Sequence, residues 1–563
     1  MKAVAFNGTD RTVVSYREYD GRGNVTKDAD SAGYDASRPG LSFGKQYEYD
    51  AADNVVRYKS AQAAKDSGSG EGYTRTYAYD GSGRVTAEKD SNGGITRTVW
   101  YLNGLLQETT YPDGSKESYT YDDTGKLRSV KTDRNGNTTA TYINVFGKPY
   151  RIEYPDQTFE TFAYTAEGYM KESRDRNGNA SLFEYDPAGN VASQKEYVSS
   201  DAAADCYQLT EYTCDEAGRT LTSETFSLKT SKGTGRELSR ESAGDRVSNS
   251  YDKAGGLVAV HGPSGRETAN TYDAAGNVIT IRQKIDDGAY KVRRFEYDTR
   301  SRKVKESLLL DVSDLEGTRL ERAEFDDEHP AMVKSNTVYA YYAGDRVKSV
   351  TDANGNMTSF EYDLDGRLVK KLQPMNVTTL YRYDGEGNLT CETNGRGVST
   401  YYDYDAMNRV VREKAPSAGG EQAVTRYIYD AMGNLLKTIL PNAYDALKDT
   451  PEQADEMPGE GYTYDSMNRP VATTAPTGET VQYIAYDANG NVKKKVDGLR
   501  YTGSISASPG TVYEYDGLGR AVRATDALGS VSSTGYDILG NVAGRTDALG
   551  HTTGYEYNPD GTL

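Results

Sequence analysis

Apolar and polar residues alternate with period two along short runs, and each run ends in the same group of turn-forming residues. Tyr513-Glu514-Tyr515-Asp516-Gly517-Leu518-Gly519-Arg520 returns as Gly535-Tyr536-Asp537-Ile538-Leu539-Gly540-Asn541, and again as Tyr555-Glu556-Tyr557-Asn558-Pro559-Asp560-Gly561. With the Asp position as marker there are 22 copies, at 20, 50, 80, 101, 122, 144, 165, 186, 215, 252, 273, 298, 342, 363, 384, 405, 430, 465, 487, 516, 537 and 558. Of the 21 intervals between them, 12 are 21 or 22 residues long; the other nine, of 25 to 44, read as insertions in loops. A period this short marks a repeat architecture, and period-two alternation marks strands. Helical periodicity is absent.

Each position of the repeat has a physical reason. Tyr-x-Tyr places two rings on one face of a strand. Asp opens a type I turn, where its carboxylate accepts nearby backbone N–H groups. The third residue after it must enter the left-handed region, which Gly adopts freely and Asn tolerates. A type I turn followed by a left-handed residue closes a hairpin with a bulge. The marker is Asp in 17 copies, the residue before it is Tyr in 19, and the third residue after it is Gly in 17. Asn408 and Asn468 stand in that Gly position, and Asp53, Ser301 and Asp345 depart from it; Ile143 and Cys214 replace the Tyr. The residues assigned to the turn are Tyr79, Asp80, Gly83, Tyr121, Asp122, Gly125, Tyr185, Asp186, Gly189, Tyr272, Asp273 and Gly276 in the first half of the chain. In the second half they are Tyr362, Asp363, Gly366, Tyr383, Asp384, Gly387, Tyr515, Asp516, Gly519, Tyr536, Asp537 and Gly540.

A second turn falls about ten residues after the marker, as in Thr351-Asp352-Ala353-Asn354-Gly355 and Thr525-Asp526-Ala527-Leu528-Gly529. One repeat is then two strands and two turns, and 22 repeats make an antiparallel meander of about 44 strands. The fold expected is all-β, one continuous hairpin array over residues 1–563 with no separate catalytic domain. A flat sheet of that size does not persist: sheets twist and must curl. Rings stacking from hairpin to hairpin would contribute roughly 0.2–1 kcal/mol per pair.

Composition narrows the picture. Hydrophobic residues make up only 36% of the chain, with 48 Tyr, 10 Phe and 1 Trp, which suits a thin structure wetted on both sides rather than a large core. The formal net charge of -18 argues against nucleic acid and anionic membranes as partners. No run of 18 apolar residues is present, and residues 1–10 lack the apolar stretch of a signal peptide. Three cysteines, Cys206, Cys214 and Cys391, form no disulfide framework, although the first two could pair locally.

Candidate chemistry is thin. His261, His329 and His551 fall in different repeats, and no metalloprotease helix, Cys-x-x-Cys pair or phosphate loop occurs. Cys214 has no nearby base and reads as a small apolar substitute. The segments 133–137, 175–179 and 352–356 share Asp-x-Asn-Gly-Asn, but their Gly comes two residues too early for an EF-hand and no closing Glu follows, so they read as turns. The abundant carboxylates are mostly committed to turns, which argues against a glycosidase pair, and sequons such as Asn24-Val25-Thr26 arise from the repeat itself. No cofactor, metal or catalytic residue is expected.

The Tyr-Asp-x-x-Gly-Arg/Asn-Val/Leu pattern resembles the YD repeat of the RHS family, which includes bacterial polymorphic toxins, insecticidal toxin complexes and teneurins; the resemblance covers about residues 16 to 563. It implies a β-strip spiralling into a hollow shell, in bacterial members around a C-terminal toxin that is not in this chain. The implied protein is secreted or on the bacterial cell surface, its partner its own C-terminal cargo. The Asp-Pro-x-Gly-Leu signature of the family's self-cleaving core is missing; Asp186-Pro187-Ala188-Gly189-Asn190 is an ordinary turn. The chain therefore reads as part of a longer protein. Sized to a folded cargo of ~36 Å, one circuit of the strip takes roughly 145 Å, so 44 strands wind about one and a half times, an open belt. The alternative reading is an adhesin whose Tyr faces meet carbohydrate or surface proteins. The intervals 298–342, 215–252 and 430–465 are the places for partner contact, the last carrying Pro441, Pro451, Pro458 and the acidic stretch Asp449 to Glu460.

Overall fold

The computed structural model describes residues 2–563 apart from 8–9, 31, 66–72, 123–127, 201–203, 233, 241–243, 263–264, 266, 287–288, 310–332, 343–344, 418–421, 451–452, 538–539 and 558–562. Gly125, His329 and Pro451 lie outside the described residues.

The strands form one 45-stranded sheet. Each pairs antiparallel with its neighbours in the chain, from Lys2–Asn7 to Thr552–Gly554. Glu237–Arg240 and Asp245–Tyr251 both pair with Thr220–Ser231 and so share one place, which leaves 44 strand positions. Among the described residues the first and last strands do not pair, so the sheet is an open ribbon.

The ribbon has two unlike edges. One edge holds the YD turns. There the register shifts by one residue just before the marker, as between Glu48 and Tyr49 and between Glu514 and Tyr515. The other holds the mid-repeat turns, which mostly close without a shift, as where Thr351 faces Met357, although one occurs between Thr473 and Thr474. Among the described residues, the extra residues of the long intervals lie at this second edge, as longer hairpins such as Val191–Ser200 with Ala204–Cys214 or as loops such as 440–459. The YD edge is uniform because Asp, Gly and the bulge fix each turn locally; the other edge has no such constraint.

Burial is shallow: among the described residues only Ile439, Val292 and Val496 are large side chains with essentially no exposure. A compact cluster lies under the 440–459 insertion, where Ala454 and Met457 pack on Ile439. That insertion is pinned to the sheet. Asp449 accepts from Arg412 Nη1 and Arg426 Nε, both at 2.8 Å, and from the Tyr444 hydroxyl at 2.8 Å. The acidic stretch thus begins with a carboxylate turned inward, while Leu447 points to solvent. No helix of the described residues is long and apolar enough to cross a membrane.

The ribbon curls into a coil. Gln62 meets Asp365, Asn135 meets Asp430 and Asn177 meets Asp487. Each pair is separated by 24 strands, two of which share a place, so 23 strand positions complete one circuit. Forty-four positions make nearly two circuits, more than the one and a half expected. The expectation sized the ring to a folded cargo; the observed ring is set by the curl of the ribbon. At ~4.8 Å per strand it measures roughly 110 Å around.

Candidate functional site: the turn ladder and the seam

The turn groups build a continuous ladder along the YD edge. The carboxylate of Asp80 accepts the N–H of Ser82 (2.8 Å) and Arg84 (3.1 Å), while the Gly83 N–H reaches the Asp80 carbonyl (3.0 Å). Gly83 takes φ 76°, and Gly189, Gly276, Gly366, Gly387, Gly519 and Gly540 take 76° to 91°. The bond from the N–H four residues on recurs at Asp186, Asp273, Asp363, Asp384, Asp516 and Asp537. Asp122 donates its N–H to the Arg128 carbonyl. The bond from the Arg84 side chain and the backbone donors hold the Asp80 carboxyl below its ordinary value; at Asp186 and Asp273 the Asn190 and Asn277 side chains lead. The mid-repeat turns share this closure: Asp352 N–H reaches the Asn356 carbonyl and Gly355 N–H the Asp352 carbonyl, both at 3.0 Å.

The tyrosine before each marker hooks the preceding repeat. Its hydroxyl donates to the first carbonyl of that repeat's return strand: Tyr79 to Val55 (2.8 Å), Tyr185 to Met170 (2.8 Å), Tyr272 to Leu257 (2.9 Å), Tyr383 to Leu368 (2.9 Å), Tyr515 to Val492 and Tyr536 to Ala521 (3.0 Å each). Trp100 does the same through its ring N–H to Val85 (2.9 Å). Tyr121 and Tyr362 instead set their rings edge-on to Tyr101 and Tyr342. Direct ring-to-ring contact is thus only part of the packing; the repeated bond is hydroxyl to carbonyl. Burial raises the pKa of Tyr79, Tyr121, Tyr362, Tyr383 and Tyr515 at this position, and pushes Tyr58 and Tyr154, which lie elsewhere in the repeat, up to about 12.

The residue four after the marker completes the ladder. Arg367 binds its own Asp363 (2.6 Å), lies over the Tyr383 ring (5.1 Å) and donates to the Asp384 carbonyl (2.8 Å) of the next repeat. Arg84, Arg409 and Arg469 act alike. The five departures from Gly are explained here. All are left-handed, with φ 58° to 68°. Each accepts from the residue four after the preceding marker: Asp53 from Asn24 (2.7 Å), Ser301 from Asn277 (3.0 Å), Asp345 from Arg302 (3.1 Å), Asn408 from Asn388 and Asn468 from Asn434 (2.8 Å each). A bond of ~1 kcal/mol offsets most of the left-handed strain of a non-Gly residue.

The seam lies where the mid-repeat edge of the first circuit meets the YD edge of the second. Glu386, its side chain 4% exposed, accepts from the Ser91 N–H (2.8 Å) and Arg75 Nη2 (3.1 Å); Arg75 also pairs with Glu88. Burial and the Glu386 charge push the Glu88 carboxyl up. Asn92 donates to Asp384 (3.1 Å), Asn135 to Asp430 (2.9 Å), Asn489 to Asp175 (2.8 Å) and Arg346 to Asp30 (3.0 Å). At the far end the Gly517 N–H donates to the Val198 carbonyl (2.6 Å), and a Cβ on Gly517 would stand 2.2 Å from the Tyr197 carbonyl oxygen. Of the three Asp-x-Asn-Gly-Asn turns, two therefore supply seam donors.

Conventional chemistry is sparse. Among the described residues no group of three or more His, Cys, Asp or Glu could hold a metal. Cys206 and Cys214 lie eight residues apart on one strand, Ala204–Cys214, too far to bridge, and all three cysteines are free. His551 contacts only the Asp547 of its own turn. A cleft of about 800 Å³ is lined by Tyr164, Tyr169, Phe183 and Tyr185. Sequence reasoning missed the seam altogether.

A coiled ribbon of hairpins with a laddered edge and a polar seam defines a repeat-built wall. The RHS Repeat family matches at residues 100–138, 251–284, 341–374, 362–399 and 515–552, so RHS repeats are present at those places along the array. No curated protein matches it. Solved structures that resemble it include the Photorhabdus luminescens Tc holotoxin pore with the TccC3-D651A mutation, at 16% identity over 97% of this chain and 30% of that one, TM-score 0.47. TcdB2-TccC3 resembles it at 14% identity over 100% and 39%, TM-score 0.36. The chain thus spans roughly a third of the length of these structures.

Proposed function

We propose that this chain is a non-catalytic wall segment of a secreted or cell-surface RHS protein, one continuous array within a longer polypeptide, enclosing a C-terminal toxin cargo. The observation that carries the reading is the seam, because it turns a ribbon into a tube. A circuit of roughly 110 Å gives a diameter of ~35 Å, and side chains leave a bore of ~25 Å. A folded domain of ~130 residues needs ~36 Å. Cargo inside this segment is therefore held less than fully folded.

The test is limited proteolysis of the full-length gene product. Sequence downstream of Leu563 should be protected in the intact protein and become cleavable when seam residues are replaced. Equal cleavage in both, or a gene that continues into nothing but a cell-wall anchor, would refute the role. The adhesin reading rests on the Tyr-lined cleft at Tyr164, Tyr169 and Tyr185; a glycan array without binding removes it.

A further inference from the structure

Four side-chain amides donate to aspartates across the seam: Asn92 to Asp384, Asn135 to Asp430, Asn177 to Asp487 and Asn489 to Asp175. Each of the four is followed by glycine, at Gly93, Gly136, Gly178 and Gly490. The last two contacts are reciprocal. Asp175-Arg176-Asn177-Gly178-Asn179 and Asp487-Ala488-Asn489-Gly490-Asn491 share one turn pattern, and each gives its middle Asn to the other's Asp, at 3.2 and 2.8 Å.

An Asn-Gly pair carries its own reaction. The glycine backbone nitrogen, unhindered by a side chain, attacks the Asn Cγ and gives up its proton to solvent. The new C–N bond closes a cyclic imide, and the side-chain nitrogen leaves as ammonia. Water then opens the imide at either carbonyl, giving aspartate or isoaspartate. Water is the only co-reactant, and all four Asn are exposed to it. Two features oppose the attack here. The glycine N–H is held by the carbonyl of its own turn's Asp, from 2.9 Å at Gly178 to 3.2 Å at Gly93 and Gly490. The Asn side chain is held by the bond across the seam. Asn354-Gly355 separates the two. It lies in the same turn pattern, Asp352 to Asn356, and its Gly355 N–H is held likewise at 3.0 Å, yet among the described residues its side chain bonds to no other turn.

We propose that the seam is a one-way latch: closed, it shields these four Asn-Gly pairs from deamidation, and where one has reacted the seam does not reclose. The product places a carboxylate where an amide donor stood. It faces an aspartate that already accepts from its own turn, Asp487 from Asn491 and Asp175 from Asn179. A donor–acceptor pair becomes two like charges, and isoaspartate also lengthens the main chain of the turn. The latch needs only the seam contacts and holds whether or not the chain encloses a cargo.

The experiment ages residues 1–563 in warm, mildly alkaline buffer and follows each Asn-Gly peptide by mass spectrometry, scoring aspartate and isoaspartate. A bond to a charged group leaves the Asn side chain free about a tenth of the time or less, so the four seam sites should react about tenfold slower than Asn354. In Gly517→Val, whose Cβ meets the Tyr197 carbonyl across the seam, Asn177 and Asn489 should approach the Asn354 rate. The double variant N177D/N489D makes the product directly; amide exchange in 175–179 and 487–491 should rise about tenfold with the circular dichroism spectrum unchanged. N177S/N489S keeps neutral donors and cannot close the imide, so exchange there should be alike before and after ageing. Seam sites that react as fast as Asn354 in the wild type would overturn the proposal. So would a Gly517→Val protein in which exchange at 195–200 has risen while Asn177 and Asn489 stay slow, or N177D/N489D exchange equal to wild type.

Discussion

Replacing Glu386 by Ala removes the most buried carboxylate of the seam while leaving every strand pairing intact. The perturbation strips the acceptor from the Ser91 N–H and from one arm of Arg75, both across the seam. Breaking a buried ion pair costs about 3–5 kcal/mol when the partner is left alone. Arg75 retains Glu88 and is 30% exposed at the side chain, so the expected loss is smaller, about 2–3 kcal/mol. Melting temperature is a poor readout for so long an array. Local opening is a good one: 2–3 kcal/mol corresponds to roughly 30- to 150-fold faster exchange of amides protected by the seam. Hydrogen exchange read by mass spectrometry should show that acceleration in peptides spanning 88–94 and 384–388, with far-UV circular dichroism unchanged. Glu386→Gln, which keeps an acceptor oxygen without the charge, should fall between. Exchange at 88–94 equal to wild type in the Ala variant would refute the claim that the seam holds the two circuits together.

Gly517→Val should open the far end of the seam, since a Cβ there meets the Tyr197 carbonyl; exchange should rise at 195–200, while Gly21→Val, the same turn slot on the first circuit with nothing within 4 Å, should be silent. Asn468→Ala should cost ~2 kcal/mol in local hydrogen exchange at 430–434, losing the Asn434 bond while keeping the left-handed strain, and Asn468→Gly should cost under ~0.5 because relief of strain offsets the lost bond. Circular dichroism against pH should be flat between about 4.5 and 10. Below that window the depressed carboxyls of Asp80, Asp186 and Asp273 take up protons, and the stability present above their unfolded value, ~3.9, is lost as pH falls through their folded values. Tyr58 and Tyr154 run the other way: their contribution is complete below ~10 and is lost as pH rises through about 12. A transition near neutrality would contradict this.

The hairpins were legible because their causes are local. Asp80, Gly83 and the alternation around them act within five residues, so the turn, the left-handed residue and the strand polarity all follow from sequence. The Tyr hook was half legible. The ring at Tyr79 is visible, but its partner is a backbone carbonyl at Val55, and carbonyls leave no trace in side-chain pattern. The winding was misjudged, and the seam was invisible, because Asn135 and Asp430 are 295 residues apart and no period links them. One trace does exist: Met407, Met432 and Met467 occupy the slot where the first circuit has Ala52, Ser82 and Ala188.

A seam of residue-specific contacts forces the protein to keep count. Removing one whole repeat between Val198 and Gly517 would preserve every hairpin, yet it would slide the second lap by two strands and set each downstream tip against a stranger. The number of repeats inside the lap is therefore as constrained as the sequence of any one of them.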